Sequence, residues 1–336
     1  MAHGEYAAMM MSATLIAASI ALFASNCDPP CNTVNYTSFS VGADEARMYV
    51  EQDGMPVATY NYGMVQREGR DNDPLRRSGY LHPVYGLDGE VLTDDFPADH
   101  VHHRGIFWAW PKAMANGREM DVWSLRGARQ VYEESDPISA VGTCAYIKVR
   151  NLWIFDDAPG KPMLREHVTI TFLPAEETHR AIDIELRLEN ISGAPFTLGG
   201  QTTGDKGYGG VCIRPANGSG LFSEDESNSP FRFLGKDGLI ANDAFTAETP
   251  WCALLLKETP GAPRNGIALI QHPDNPGYPQ PGWLIRHYGF LGQSWPHRTP
   301  HLLPPNQSIT LRYRILITRG LTELQHFTPL ATPPNS

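Results

Sequence analysis

Residues 182–189 read Ile-Asp-Ile-Glu-Leu-Arg-Leu-Glu, with apolar and charged side chains in strict alternation. Successive side chains of an extended strand point to opposite faces, so this octet presents one face to a core and one to water. Wound as a helix, the same residues would scatter their apolar groups around the whole circumference. The pattern returns at 309–317 as Ile-Thr-Leu-Arg-Tyr-Arg-Ile-Leu-Ile. Burial of one face only is the habit of antiparallel sheets, because parallel strands are covered on both sides.

Further β-rich stretches lie at 47–51, 56–62, 140–155 and 168–173, with turn signals such as Gln52-Asp53-Gly54 and Asp88-Gly89 between strands. Only 321–327 has a helical spacing, and it predicts a short closing helix. Strands do not alternate with helices, which excludes a parallel α/β fold. The 31 glycines, 28 prolines and 19% charged residues agree with many turns and little long helix. Neither a repeat nor a linker divides the chain. Residues 41–330 therefore read as one all-β domain, a large antiparallel β-sandwich.

The first 26 residues read as a targeting segment. Residues 7–25 carry no charge, and 15–23 are almost wholly apolar. Ala24-Ser25-Asn26-Cys27 resembles the lipid-attachment site of bacterial lipoproteins. It departs from that pattern in Asn26 and in the lack of Lys or Arg ahead of the apolar run. The expectation is export, by a lipoprotein signal with Cys27 as the lipid attachment point, by a plain signal peptide or by an uncleaved anchor, with residues 27–40 as a tether and a periplasmic or membrane-anchored location. A net charge of −10 without any Lys/Arg run excludes nucleic acid as a partner and limits membrane contact to the N-terminus. The five cysteines form no C-x-x-C pair, which excludes a zinc site built on thiolates.

Chemistry concentrates at 94–110, where His100, His102 and His103 fall within four positions, flanked by Asp95, Asp99 and Arg104. Imidazoles this dense serve proton transfer, metal binding or the gripping of a polar ligand. The segment 199–210 is glycine-rich but lacks the Gly-Lys-Ser/Thr ending of a phosphate loop; Lys206 and Tyr208 are its reactive side chains. Two later segments, 271–279 and 282–290, place His272, Asn275, Arg286 and Tyr288 at strand ends, where a sheet fixes the base and a loop reaches the ligand.

Several of these motifs, in order, resemble a bacterial exported family called PmoA-like: Arg77-Ser78-Gly79-Tyr80-Leu81-His82-Pro83, Asp88-Gly89-Glu90-Val91-Leu92-Thr93, Asp99-His100-Val101-His102-His103-Arg104-Gly105, His272-Pro273-Asp274-Asn275-Pro276, and Trp283 with Arg286-His287-Tyr288-Gly289. The resemblance covers about residues 45–320. Methane oxidation, from which the label is borrowed, needs a subunit that crosses the bilayer several times, and this chain has one apolar stretch of that size. What the resemblance implies instead is a supersandwich similar to galactose mutarotase, and with it sugar chemistry.

Three readings follow. A carbohydrate-active enzyme of lyase, hydrolase or epimerase type would use His82, His102, His103 and His272 for proton transfer. Arg104, Arg286, Asn275 and Lys206 would bind substrate, with Trp108, Tyr208 and Tyr288 (Trp110 and Trp283 beside them) as stacking surfaces. Asp95, Asp99 and Glu166 are the carboxylates available for hydrolysis. A metal-dependent enzyme would bind a divalent ion through His100, His102 and Asp99, completed by His82 or His272. A non-catalytic glycan-binding lipoprotein would use the same aromatics and arginines without turnover. If 100–103 is a regular strand, His100 and His102 share a face and His103 points away; His102 and His103 serve one site only if the backbone turns there, as Asp99-His100 suggests. For several residues the plain alternative is structural: Trp108 as core, His82 and Asn275 as turn residues.

Overall fold

The computed structural model describes residues 38–216, 223–257 and 265–331. The expected targeting segment, Cys27, Cys31 and all but the end of the tether lie outside the described residues. Strand Phe39–Ala43 opens the domain, so the last two tether positions are already strand.

Two large antiparallel sheets form the architecture. The nine-stranded sheet runs Phe39–Ala43, Arg47–Gln52, Met55–Asn61, Tyr80–Val84, Ile106–Ala109, Gly210–Ile213, Phe290–Ser294, Gly282–Arg286, Ala244–Thr246. The second sheet runs Gly238–Ile240, Phe231–Gly235, Trp251–Leu256, Asn265–Gln271, Ser308–Arg319, His179–Asn190, Leu164–Phe172, Cys144–Phe155, Ala128–Ser135, with Ser139–Val141 beside Cys144–Phe155. A small sheet of four short strands is hydrogen-bonded to neither, but its Phe196 and Leu198 pack into the same core. The chain is all-β, an antiparallel sandwich.

The alternation at 182–189 is the register of the second sheet. Ile182, Ile184, Leu186 and Leu188 are buried, while Asp183, Glu185 and Arg187 face outward, paired across the ladder with strand Ser308–Arg319. Arg314 meets Asp183 in a bidentate pair at 2.6 and 2.7 Å. Trp251–Leu256 and Asn265–Gln271 show no such alternation because both their faces are covered. On the outer side Trp251 stacks on Phe327 of helix Leu324–Leu330, with centroids 5.7 Å apart. That helix begins later than the expected 321. Glu323 caps it reciprocally with His326, and this capping box fixes the first turn.

Apolar residues of both large sheets fuse into one core. Inside it sits Glu166, with no exposure at all. Its carboxylate accepts hydrogen bonds from Asn151 Nδ2 and Trp153 Nε1, both at 2.9 Å, and from Gln130 Nε2 at 3.3 Å. Gln130 Oε1 faces Arg77 Nη1 at 3.5 Å, and Arg77 Nη2 donates to the carbonyls of Val122 and Trp123 at 2.7 Å each. Glu166 is thus a fully bonded core carboxylate, not a surface acid. Trp108 and Trp110 are core as well. Cys212 and Cys252 are buried free thiols, and Cys144 is free and half-buried. Among the described residues no helix is long and apolar enough to cross a membrane.

Candidate functional site

The histidine segment is not a strand. His100 N donates to Pro97 O at 3.1 Å and His103 N to His100 O at 2.8 Å, so the chain turns twice before strand Ile106–Ala109 begins. These turns remove the strand alternation that would have sent His103 away from His102, and all three rings reach one cavity. Arg104 holds the turns together. It is fully buried and donates to the carbonyls of Val101, His103 and Leu75 at 2.9, 2.8 and 2.6 Å. Its Nε lies 3.3 Å from Asp95, and its guanidinium carbon sits 3.4 Å from the centre of the Phe96 ring. The expected substrate clamp is therefore a brace for the loop, because its hydrogen bonds run to backbone behind the cavity wall.

Within the cavity the rings form a column. His100 stacks on His103 (4.7 Å, 2° between planes) and on Tyr288 (4.8 Å, 12°). Asp99 fixes this arrangement from the side, taking His100 Nδ1 at 3.0 Å and Arg214 Nη2 at 2.8 Å. Arg214 itself lies over Tyr288 at 5.3 Å. His102 meets His103 edge-on at 4.6 Å, and Trp123 stands against both.

The opposite walls come from distant parts of the chain. Arg286, at the end of strand Gly282–Arg286, is tied to Asp243 at 3.1 Å. The glycine-rich segment delivers Lys206 and Tyr208 to the cavity, with Tyr208 packed on Trp123 at 4.9 Å. Gly207 lets it do so: φ is +70°, and a Cβ there would stand 2.3 Å from a carbon of the His297 ring. Ser124, Arg126, Ser223, Glu224, Phe245 and Leu284 complete the lining of a cavity of about 700 Å³.

Electrostatics set the protonation of these groups. Burial, then Arg77, His100, Arg104 and Arg126, push His102 down to about 3. Burial and the neighbouring histidines and arginines hold His103 well below the usual imidazole range. Its Nδ1 has no hydrogen-bond partner among the described residues. Burial raises the Tyr208 and Tyr288 phenols, so both stay protonated. Neutral imidazoles facing protonated phenols can exchange protons with a ligand between them.

His272, Asn275 and His82 do not join this cavity. His272 lines a separate pocket of about 280 Å³ on the outer face of the second sheet, among Asp183, Glu185, Arg312 and Arg314. Asn275 extends the neighbouring ladder: its side chain accepts from Arg312 N and donates to Arg312 O, both at 2.7 Å. The wall expected from 271–279 is absent because that segment leaves the second sheet while the histidines belong to the first. His82 lines a third pocket of about 520 Å³ with Arg47, Tyr49 and Asp95. Its Nδ1 lies 3.0 Å from the Thr93 hydroxyl, and burial pushes it down to about 4. Trp108, in the core, offers no stacking face to the cavity. Among the described residues no group of three or more His, Cys, Asp or Glu side chains is placed to hold a metal ion. The His100 and His102 rings stand 6.0 Å apart at 74°, and Asp99 is bonded to His100 Nδ1 and to Arg214, so the expected His100, His102 and Asp99 set is not among such groups.

Sequence reasoning missed Trp123, Arg126, Arg214, Asp243 and Phe245. No motif marks them, since each is a single residue in an irregular segment, beside a strand or, for Phe245, in the short strand Ala244–Thr246. What defines this molecule is a two-sheet antiparallel sandwich whose nine-stranded sheet carries a histidine-rich cavity beneath its loops. The chain belongs to the family of unknown function DUF6807, whose profile matches residues 47–328. No curated protein matches it. Among solved structures it is similar to the α-galactosidase of Lactobacillus brevis (TM-score 0.41, 9% identity), covering 86% of this chain and 40% of that one. A candidate aldose 1-epimerase from Klebsiella pneumoniae gives a TM-score of 0.38 at 11% identity, covering 89% of this chain and 87% of that one. A heparan sulfate lyase from Pedobacter heparinus gives 0.30 at 8%, covering 85% and 35%. This chain thus spans less than half of the galactosidase and of the lyase.

Proposed function

We propose that the cavity binds a sugar or oligosaccharide and moves a proton on it, with His102 and His103 as bases and Tyr208 as the acid. The observation that carries this reading is a pair of buried, uncharged imidazoles opening on about 700 Å³ of space walled by aromatic rings. That volume suits a ligand of one or a few rings. Tyr208 and Tyr288, the former backed by buried Trp123, supply flat surfaces for the apolar face of a pyranose, and Arg286 and Lys206 supply donors for its oxygens. Asp99 engages Nδ1 of His100, leaving Nε2 as that ring's outward nitrogen.

The lining also narrows the reaction class. Hydrolysis by paired carboxylates needs two of them facing the substrate. Of the described lining residues only Glu224 is a carboxylate, because Asp99 and Asp243 are occupied by arginines behind the wall. Mutarotation, epimerisation and β-elimination, which move a proton at carbon or at a ring oxygen, fit the donors present. The PmoA-like label, with its implied kinship to galactose mutarotase, belongs to this proposal.

Turnover of a glycan panel tests it. His102→Ala and His103→Ala should each lower kcat by about 10²–10⁴-fold, whereas His272→Ala, in its separate pocket, should leave it unchanged. Full turnover by the double variant His102→Ala/His103→Ala would remove both from the chemistry. Tight glycan binding by the unaltered protein without any product would favour a binding function alone.

A further inference from the structure

The cavity's charge is opposite in sign to that of the chain. With 27 basic and 37 acidic residues the protein is formally at −10. The described lining holds three cations, Arg126, Lys206 and Arg286, against the single carboxylate Glu224, a surplus of two positive charges. Arg286 is partly offset by Asp243. Arg126 and Lys206 have no ion pair among the described residues. Lys206 Nζ and the Arg286 guanidinium carbon lie 5.8 and 5.4 Å from the Phe245 ring, so two cations flank one aromatic group. Directly behind the column, Arg214 is fully buried and paired with Asp99 through Nη2 at 2.8 Å, and among the described residues its Nε and Nη1 have no hydrogen-bond partner. Positive charge held on low-dielectric walls concentrates its field in the opening between them. Such a concentration is unfavourable for an empty site and favourable for one that receives an anion.

Resting on the sugar reading above, we infer that the ligand is an acidic sugar, whose carboxylate or sulfate group is taken by Arg126, Lys206 and Arg286. The two sources share one chemistry, a compact anion on a pyranose ring. Guanidinium and ammonium groups bind it by charge-assisted hydrogen bonds. Tyr208 and Tyr288 then take the ring's apolar face. An anion beside Arg126 also offsets one of the charges that keep His102 uncharged, and so strengthens it as a base when substrate is present. A neutral sugar would leave that base as weak as it is in the empty site.

Isothermal titration with three length-matched ligands tests the inference: an oligouronate, its carboxyl-reduced neutral counterpart, and a sulfated neutral oligosaccharide. An anionic ligand should bind about tenfold or more tightly than the neutral one, since one charged hydrogen bond accounts for at least that ratio. Lys206→Met and Arg126→Met should each erase most of the preference, Lys206→Arg should retain it, and rising salt should weaken it. Thermal unfolding of each variant confirms that it is folded. Preference for the uronate identifies a carboxylate, and preference for the other anionic ligand a sulfate. Equal or tighter binding of the neutral ligand overturns the acidic-sugar inference and leaves the sugar reading intact. Binding of none of the three overturns the sugar reading, and the inference falls with it.

Discussion

Acidification should weaken this fold through His102, and replacing that one ring should remove part of the loss. In the unfolded chain the imidazole takes up a proton near 6.5, whereas in the folded chain burial and nearby arginines delay this to about 3. Between these values the unfolded state binds more protons, so stability rises with pH. The contribution is intact above 6.5 and is lost progressively as the pH falls towards 3. At about pH 4.5, roughly two units below the unfolded value, the difference is at most ~3 kcal/mol at ~1.4 kcal/mol per unit. One edge of the ring opens on the cavity, and solvent screening there brings the expected figure nearer ~2 kcal/mol. Urea unfolding of the unaltered protein and of His102→Gln, each at about pH 7 and about pH 4.5, measures it as a double difference. Carboxylates common to both proteins cancel. The unaltered protein should lose ~2 kcal/mol more than the variant on acidification. Equal losses would refute the claim that His102 is buried uncharged, and with it the neutral base of the proposed chemistry.

Two predictions concern the scaffold around the site. Glu166→Ala strands the donors of Asn151, Trp153 and Gln130 in a closed core, and should lower stability by about 3–5 kcal/mol; a loss below ~1 kcal/mol in urea unfolding would show that the network does not support the sandwich. Arg104→Met removes bonds to the loop carbonyls of Val101 and His103 and to that of Leu75 in a neighbouring segment, so the amide of His103 should exchange with solvent at least about tenfold faster. Unchanged protection there would mean that the turns stand without their brace.

Much of the fold was legible because a sheet with one dry face imposes its period on sequence. Ile182 to Leu188 declared their buried face, and the structure keeps that register against Ser308–Arg319. The site was legible only in part. His100, His102 and His103 are adjacent in sequence, so any fold would keep them close, and Arg286, Tyr288, Lys206 and Tyr208 do reach them. His272 and Asn275 looked equally suitable, yet their strand lies in the other sheet. Arg104 looked like a clamp because residue type reveals charge but not direction; its three carbonyl partners turn it inward.

By itself, the sequence determined an antiparallel all-β domain and a local concentration of imidazoles, since both are written in neighbouring residues. Only the tertiary structure decided that the histidines sit on turns rather than a strand. It alone brought Trp123, Arg126, Lys206, Phe245 and Arg286 around them, and it left the cavity positive within a negative chain. Those outcomes depend on which strands become neighbours across a sheet, and strand order is fixed by packing over the whole core rather than by any one stretch of chain.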